Sequence, residues 1–188
     1  MCNTGRLRVM RCELGYLHRA DGSCSYSQGK TAVWASCSGP EDERLHLDVS
    51  FRQLTGDCQY HHVTVHQLQS DGSVGGAALT AVGLAVLDNG ISIKAPFCGV
   101  EVCQVDGKLV LDADAKTEAK ASAKWLFAFI RTAEGGAVMV ASDSTGPFQV
   151  DTYASALNLA RMGAEQIFSF FKEMMQRKLS VDLLPPIE

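Results

Sequence analysis

A chain of 188 residues has room for a single domain, 1–188, whose core needs neither metal nor disulfide staples. With 46% hydrophobic and 20% charged residues the composition excludes a disordered tail, and no apolar run reaches the ~18–20 residues that cross a bilayer, so no membrane association is expected. A net charge of −4 excludes a protein that coats nucleic acid by bulk electrostatics and leaves room only for a local basic strip.

The seven cysteines, at 2, 12, 24, 37, 58, 98 and 103, are odd in number and form no CxxC pair. Several lie in apolar stretches, such as Trp34-Ala35-Ser36-Cys37, where a thiol acts as a small hydrophobe. They read as reduced thiols. The start, Met1 to Arg6, lacks the apolar stretch of a secretory leader. The expected compartment is cytosol or nucleus.

In chain order, Arg6 to Glu13 alternates polar and apolar residues with period two, as a half-buried strand does. Ala20-Asp21-Gly22-Ser23 is turn chemistry, and strands follow at Ser23–Gln28 and Thr31–Cys37 before Ser38-Gly39-Pro40 stops them. Leu45–Phe51 and His62–His66 alternate as well, with a turn-sized link, Thr55–Gln59, between them. Ala77–Leu87 is apolar nearly all round, the mark of a buried helix, and Gly90 supplies its left-handed stop.

Two further strand pairs are predicted. Phe97–Val105 meets Lys108–Leu111 across Asp106-Gly107, and Trp125–Arg131 meets Ala137–Ser142. The Ala- and Lys-rich segment Asp114–Lys124 suits one short helix. Asp151–Lys178 closes the chain as a long amphipathic helix, with Asp151 as its N-cap. The architecture is α+β.

Chemistry-bearing constellations are sparse. His61, His62 and His66 lie near Cys58 and His46, but four-residue spacing along a strand keeps the imidazoles apart, and neither CxxC nor HExxH accompanies them. No metal is assigned there. No G-x-S-x-G elbow and no Walker loop occur. Gly72-Ser73-Val74-Gly75-Gly76 precedes the middle helix and is a possible phosphate turn. Arg6, Arg8, Arg11 and Arg19 cluster near the N-terminus with Lys30 not far beyond, and Arg6, Arg8, Arg19 and Lys30 are the candidate RNA contacts. Solvated strand edges and turns are the competing reading of those same residues.

Several stretches, in order, resemble the ribonuclease PH-like family. Asp21-Gly22-Ser23 through Gln28-Gly29-Lys30-Thr31-Ala32-Val33 is similar to its D-G-S-a-x-x-x-Q-G-x-T-x-V signature. Ser70–Ser73 with the helix to Asp88-Asn89-Gly90-Ile91 is similar to its phosphate loop, helix and turn. Phe97–Val100, Leu109–Asp112 and the last helix follow in family order, and Met10–Leu14 with Ser38-Gly39-Pro40 looks most like a core subunit of the RNA exosome. The resemblance implies a βαβα sandwich, one of six such domains in a ring through which single-stranded RNA threads. It implies partnership with other ring subunits of the ribonuclease PH type, a part in RNA and ribosomal RNA processing and degradation, and residence in nucleus, nucleolus and cytoplasm.

Departures from the family pattern bear on mechanism. Active relatives hold the attacking phosphate with a Thr-Arg pair, and at those positions, after Ser73, stand Val74 and Gly75. Their two metal- and acid-site aspartates fall at Glu118 and Lys124, and lysine cannot ligate Mg²⁺. Asp112 and Asp114 are substitutes only through a shift in register. The family's first helix, between the strands that Thr55–Gln59 joins, is missing. That deficit predicts an uncovered sheet face and dependence on a partner.

The leading expectation is therefore a non-catalytic exosome subunit with no catalytic residue and no cofactor. One alternative is an active phosphate-dependent 3′-to-5′ exoribonuclease, which needs Mg²⁺ and inorganic phosphate. Another is a nucleic-acid-binding homodimer assisting a cell-death nuclease in apoptotic DNA degradation.

Overall fold

Two antiparallel sheets and two long helices make up the computed structural model, which describes residues 5–38 and 62–182. The first sheet contains β1 (Met10–Leu14), β2 (Gly22–Gln28), β3 (Thr31–Ser38) and β4 (His62–Gln69), paired in that order. Gly29, at φ +63°, and Lys30 make the tight turn from β2 to β3, which pairs Gln28 with Thr31. The strand expected at Leu45–Phe51, the turn at Thr55–Gln59 and the missing helix between the flanking strands all lie outside the described residues, as do His46, Cys58 and His61. His66 is exposed on β4, and among the described residues no cluster of metal-ligating side chains forms.

Helix α1 (Val74–Asn89) follows, then β5 (Phe97–Val105), β6 (Lys108–Leu111), the single turn α2 (Ala115–Glu118), β7 (Ala123–Arg131), β8 (Ala137–Thr145) and α3 (Val150–Asp182). The second sheet runs β6-β5-β7-β8, so the two predicted strand pairs join through β5 and β7. The β5–β6 turn has Asp106 at φ +50° and Gly107 at φ +73°, the paired left-handed geometry that Asp-Gly favours.

Strand alternation separates the helices. Gly99 and Glu101 of β5 face α1, where the Thr80 hydroxyl bonds the Gly99 backbone and the Gly76 amide meets Glu101. A methyl on Gly83 would collide with the Phe97 carbonyl, so α1 lies almost on the strand backbone. The alternate residues face the other way: Val100 of β5 and Leu111 of β6 lie against Gly163 of α3, and Phe127 of β7 packs edge-on to Tyr153. Trp125, Phe127 and Phe129 are fully buried on that face. The second half of α3 reaches back, setting Phe170 against Tyr26 of β2 and Phe171 against Gly83 of α1. One core cluster spans both sheets and both helices, the α+β, βαβα sandwich expected.

Three details differ from the sequence reading. The first strand begins at Met10 rather than Arg6, because the Arg8 amide is donated to the Asp112 carboxylate and the Leu7 amide to the Gln166 side chain, not to a neighbouring strand. Helix α1 begins at Val74, so Gly75 and Gly76 belong to its first turn. Asp151 is inside α3, whose first residue is Val150, and is therefore not its N-cap.

Candidate functional site

The start of α1 is built around the turn Asp71-Gly72-Ser73. Gly72 at φ +82° and Ser73 at φ +50° are both left-handed, and a Cβ on Gly72 would strike the Ala113 carbonyl. That close approach seats the turn on the segment after β6. Two side chains grip it from the other side. Thr31 donates its hydroxyl to the Gly72 carbonyl at 2.7 Å and accepts from the Asp71 amide at 3.1 Å. Arg8 donates Nη1 to the Asp71 carbonyl at 2.7 Å and Nη2 to the Gly72 carbonyl at 3.1 Å.

Helix N-termini present unpaired amides that favour anions. Here the anions belong to the chain itself. The Ser73 amide donates to Glu118 Oε2 at 2.9 Å, and the Gly76 amide to Glu101 Oε1 at 3.0 Å, with the Gly75 amide also turned toward Glu101. The Ser73 hydroxyl is turned away, donating to the Ala113 carbonyl at 3.1 Å. Lys124 donates Nζ to Glu118 Oε1 at 2.7 Å. The fold thus gathers Ser73, Val74, Gly75, Glu118 and Lys124 into one place, from the start of α1, the end of α2 and the start of β7.

Charges respond accordingly. Burial pushes the Glu118 carboxyl up, but the Lys124 ammonium and the Ser73 amide outweigh it and hold it below the usual carboxylate range. The hydrogen bond to Glu118 raises Lys124. Glu101 is shifted the other way, because burial pushes it up more than the Gly76 amide pulls it down, and the nearby Glu118 charge adds to the rise. Pattern reading missed Glu101. Its signal was one carboxylate in the otherwise apolar run Phe97–Val102, at the position facing α1.

Space is as limited as charge. A Cβ on Gly75 would stand 2.8 Å from Glu101 Oε1 and 3.1 Å from Leu126 Cδ2. An arginine there would have to displace the carboxylate that now receives the Gly76 amide. The residues present do not fit a Mg²⁺ ion either. The Glu118 carboxylate is paired with an ammonium, Asp114 accepts the Thr117 amide as the N-cap of α2, and Asp112 is taken by Arg8. A divalent cation needs several such oxygens free to converge.

The basic cluster does not survive folding as one strip. Arg8, read from sequence as an RNA contact, is an internal clamp: Nη2 donates to Asp112 Oδ1 at 2.7 Å, and its side chain is only 15% exposed. Arg19 precedes β2 and Lys30 follows it, both exposed, so seven strand residues hold them roughly 20 Å apart. Arg6 is exposed ahead of β1.

Two profiles of the 3′ exoribonuclease family match the chain, domain 1 over residues 6–62 and domain 2 over residues 95–163. The chain is 38% identical to the exosome complex component RRP46 homolog of Caenorhabditis elegans, with 95% of this chain and 98% of the relative covered. The chain belongs to the ribonuclease PH family. That alignment is 210 residues long, more than the 188 of this chain, so the relative has residues without a counterpart here. Among solved structures, cell-death-related nuclease 5 of C. elegans superposes with a TM-score of 0.78 at 37% identity, covering 94% of this chain and 100% of that one. Rice (Oryza sativa) Rrp46 superposes with a TM-score of 0.80 at 20% identity, over 93% and 97% of the two chains, and shows the common fold.

Proposed function

We propose that this chain is a non-catalytic subunit of the RNA exosome core, contributing ring interface and RNA-contacting surface to 3′-to-5′ RNA processing and degradation. Its similarity to an exosome component over nearly its whole length supports the assembly. One observation carries the non-catalytic reading: the amides at the start of α1 are already bonded to Glu118 and Glu101. Phosphorolysis must bring a phosphate against an anionic RNA backbone, and active relatives meet that charge with an arginine. Here the amides are taken up by two carboxylates that stand beside one lysine, so an attacking phosphate meets neither free donors nor an arginine.

The partners are other ribonuclease PH-type ring subunits and single-stranded RNA, held through phosphates without sequence preference. Arg6, Arg19 and Lys30 remain the surface candidates for that contact. Neither Mg²⁺ nor phosphate is required as a cofactor, and the working compartments are nucleus, nucleolus and cytoplasm. Tagged full-length chain purified from its own cells should bring ring subunits with it. Recovery without any of them would overturn the reading.

A second reading is favoured by the likeness to cell-death-related nuclease 5 at 37% identity. It is a nucleic-acid-binding homodimer that assists a nuclease in apoptotic DNA degradation. It requires a homodimer in isolation and DNA binding that falls steeply with salt.

A further inference from the structure

Away from the α1 site, β1 and β2 bring two thiols together. Cys12 stands opposite Tyr26, and Cys24 opposite Leu14. The two cysteines are therefore diagonal neighbours on the core-facing side of the sheet, and their Sγ atoms lie 3.3 Å apart as free thiols. Cys24 is 1% exposed, whereas Cys12 is only partly buried. Cys37, Cys98 and Cys103, the other described cysteines, are all buried.

We propose that Cys12 and Cys24 form a redox-sensitive dithiol that closes to a disulfide when the protein meets a peroxide. Access sets the order of events. Cys12, the more open thiol, attacks hydrogen peroxide: its sulfur–oxygen bond forms, the oxygen–oxygen bond breaks, and the departing hydroxide leaves as water with the Cys12 proton. The sulfenic acid is then adjacent to Cys24. The Cys24 sulfur attacks the Cys12 sulfur, the sulfur–oxygen bond breaks, and the departing hydroxide takes the Cys24 proton as a second water. Two thiols lose two electrons to one peroxide.

The fold makes this bridge slow and reversible. The contact with Cys12, burial and the Asp88 charge all oppose ionisation of Cys24, so the second step is slower than at an activated cysteine. Diagonal neighbours on an antiparallel pair are about 7–8 Å apart, beyond the usual ~4.4–6.8 Å between bridged Cα atoms. Closure must draw β1 and β2 together out of ideal register, and a strained bond of this kind is readily reduced. The reduced state is the resting one.

The test is peroxide treatment of the reduced full-length chain, followed by alkylation of free thiols, digestion and mass spectrometry. A peptide pair joined through Cys12 and Cys24, lighter by two hydrogens and released by dithiothreitol, is expected. Cys12→Ser should abolish it. In Cys24→Ala, Cys12 should stop at the sulfenic acid and be trapped by dimedone to a greater extent than in the wild-type chain, where closure to the disulfide drains it. The proposal is overturned if Cys12 passes to sulfinic acid while Cys24 keeps its thiol, or if the bridges formed join other cysteines.

Discussion

Glu118 lies 2.9 Å from the backbone amide of Ser73, so a carboxylate of the chain itself occupies the place an incoming anion would take at the start of α1. Lys124 holds that carboxylate in position from the far side at 2.7 Å. Replacing Glu118 by alanine frees the amide and leaves the ammonium without its partner. The Glu118→Ala variant should bind inorganic phosphate with Kd of about 1 mM, roughly 4 kcal/mol, under conditions where the wild-type chain shows no binding. Calorimetry or phosphorus NMR checks this.

The Glu118–Lys124 pair also sets a pH dependence. Glu118 is held low in the folded state, so its contribution is complete above the ordinary carboxylate range and is lost as pH falls through its lowered pKa. Lys124 is raised, so its contribution is complete below the ordinary lysine range and is lost as pH rises through its raised pKa. Lys124→Ala should move the Glu118 carboxyl upward and shift acid unfolding to higher pH. A carboxyl-resolved NMR titration reads the first effect and Tm against pH the second.

Arg8 behaves as a clamp. The Asp112 side chain is 1% exposed and its ion-pair partner is Arg8. Arg8→Ala leaves the Asp112 charge without its cation, with only the residue-8 backbone amide donating to it, removes the donor of the Asp71 carbonyl and leaves the Gly72 carbonyl to Thr31 alone. Removing one partner of a buried pair costs about 3–5 kcal/mol, which for a chain of this size is roughly a 10 °C fall in Tm. Arg8→Lys should recover only part of it, since an ammonium cannot reach three acceptors as a planar fork. Calorimetry on the three proteins decides this.

Asp88 ties three elements together. It accepts the Ser23 amide at 2.9 Å and the Lys178 ammonium at 2.7 Å, joining the start of β2 and the end of α3 to the end of α1. Asp88→Ala leaves the Ser23 amide buried without an acceptor and should cost about 1–3 kcal/mol, whereas Lys178→Ala leaves that amide bonded but takes the cation from a carboxylate only 3% exposed, and should cost at least as much. Urea denaturation of both variants measures the difference.

Much of the fold was legible because local patterns agreed with tertiary packing. Thr31–Cys37 reads as a buried strand and lies within β3, Ala77–Leu87 is apolar nearly all round and lies inside α1, and Asp106-Gly107 reads as the turn it is. What was not legible depends on distant partners. Arg8 looks like one more solvated arginine until Asp112, 104 residues away, accepts its guanidinium. Glu101 looks like an outward-facing strand residue until the first turn of α1 settles over it. Of the site, Val74, Gly75 and Lys124 were visible as departures from a family pattern. That Glu101 meets the Gly76 amide depends on how β5 lies against α1, and that Glu118 meets the Ser73 amide depends on where α2 ends.

The central claim is that this helix start no longer serves an attacking phosphate. The most direct measurement incubates the purified full-length chain with single-stranded RNA, inorganic phosphate and Mg²⁺ and assays for nucleoside diphosphates. The account predicts no release above a protein-free control, with the RNA recovered at full length. Release of nucleoside diphosphates that disappears in Glu118→Ala would contradict it.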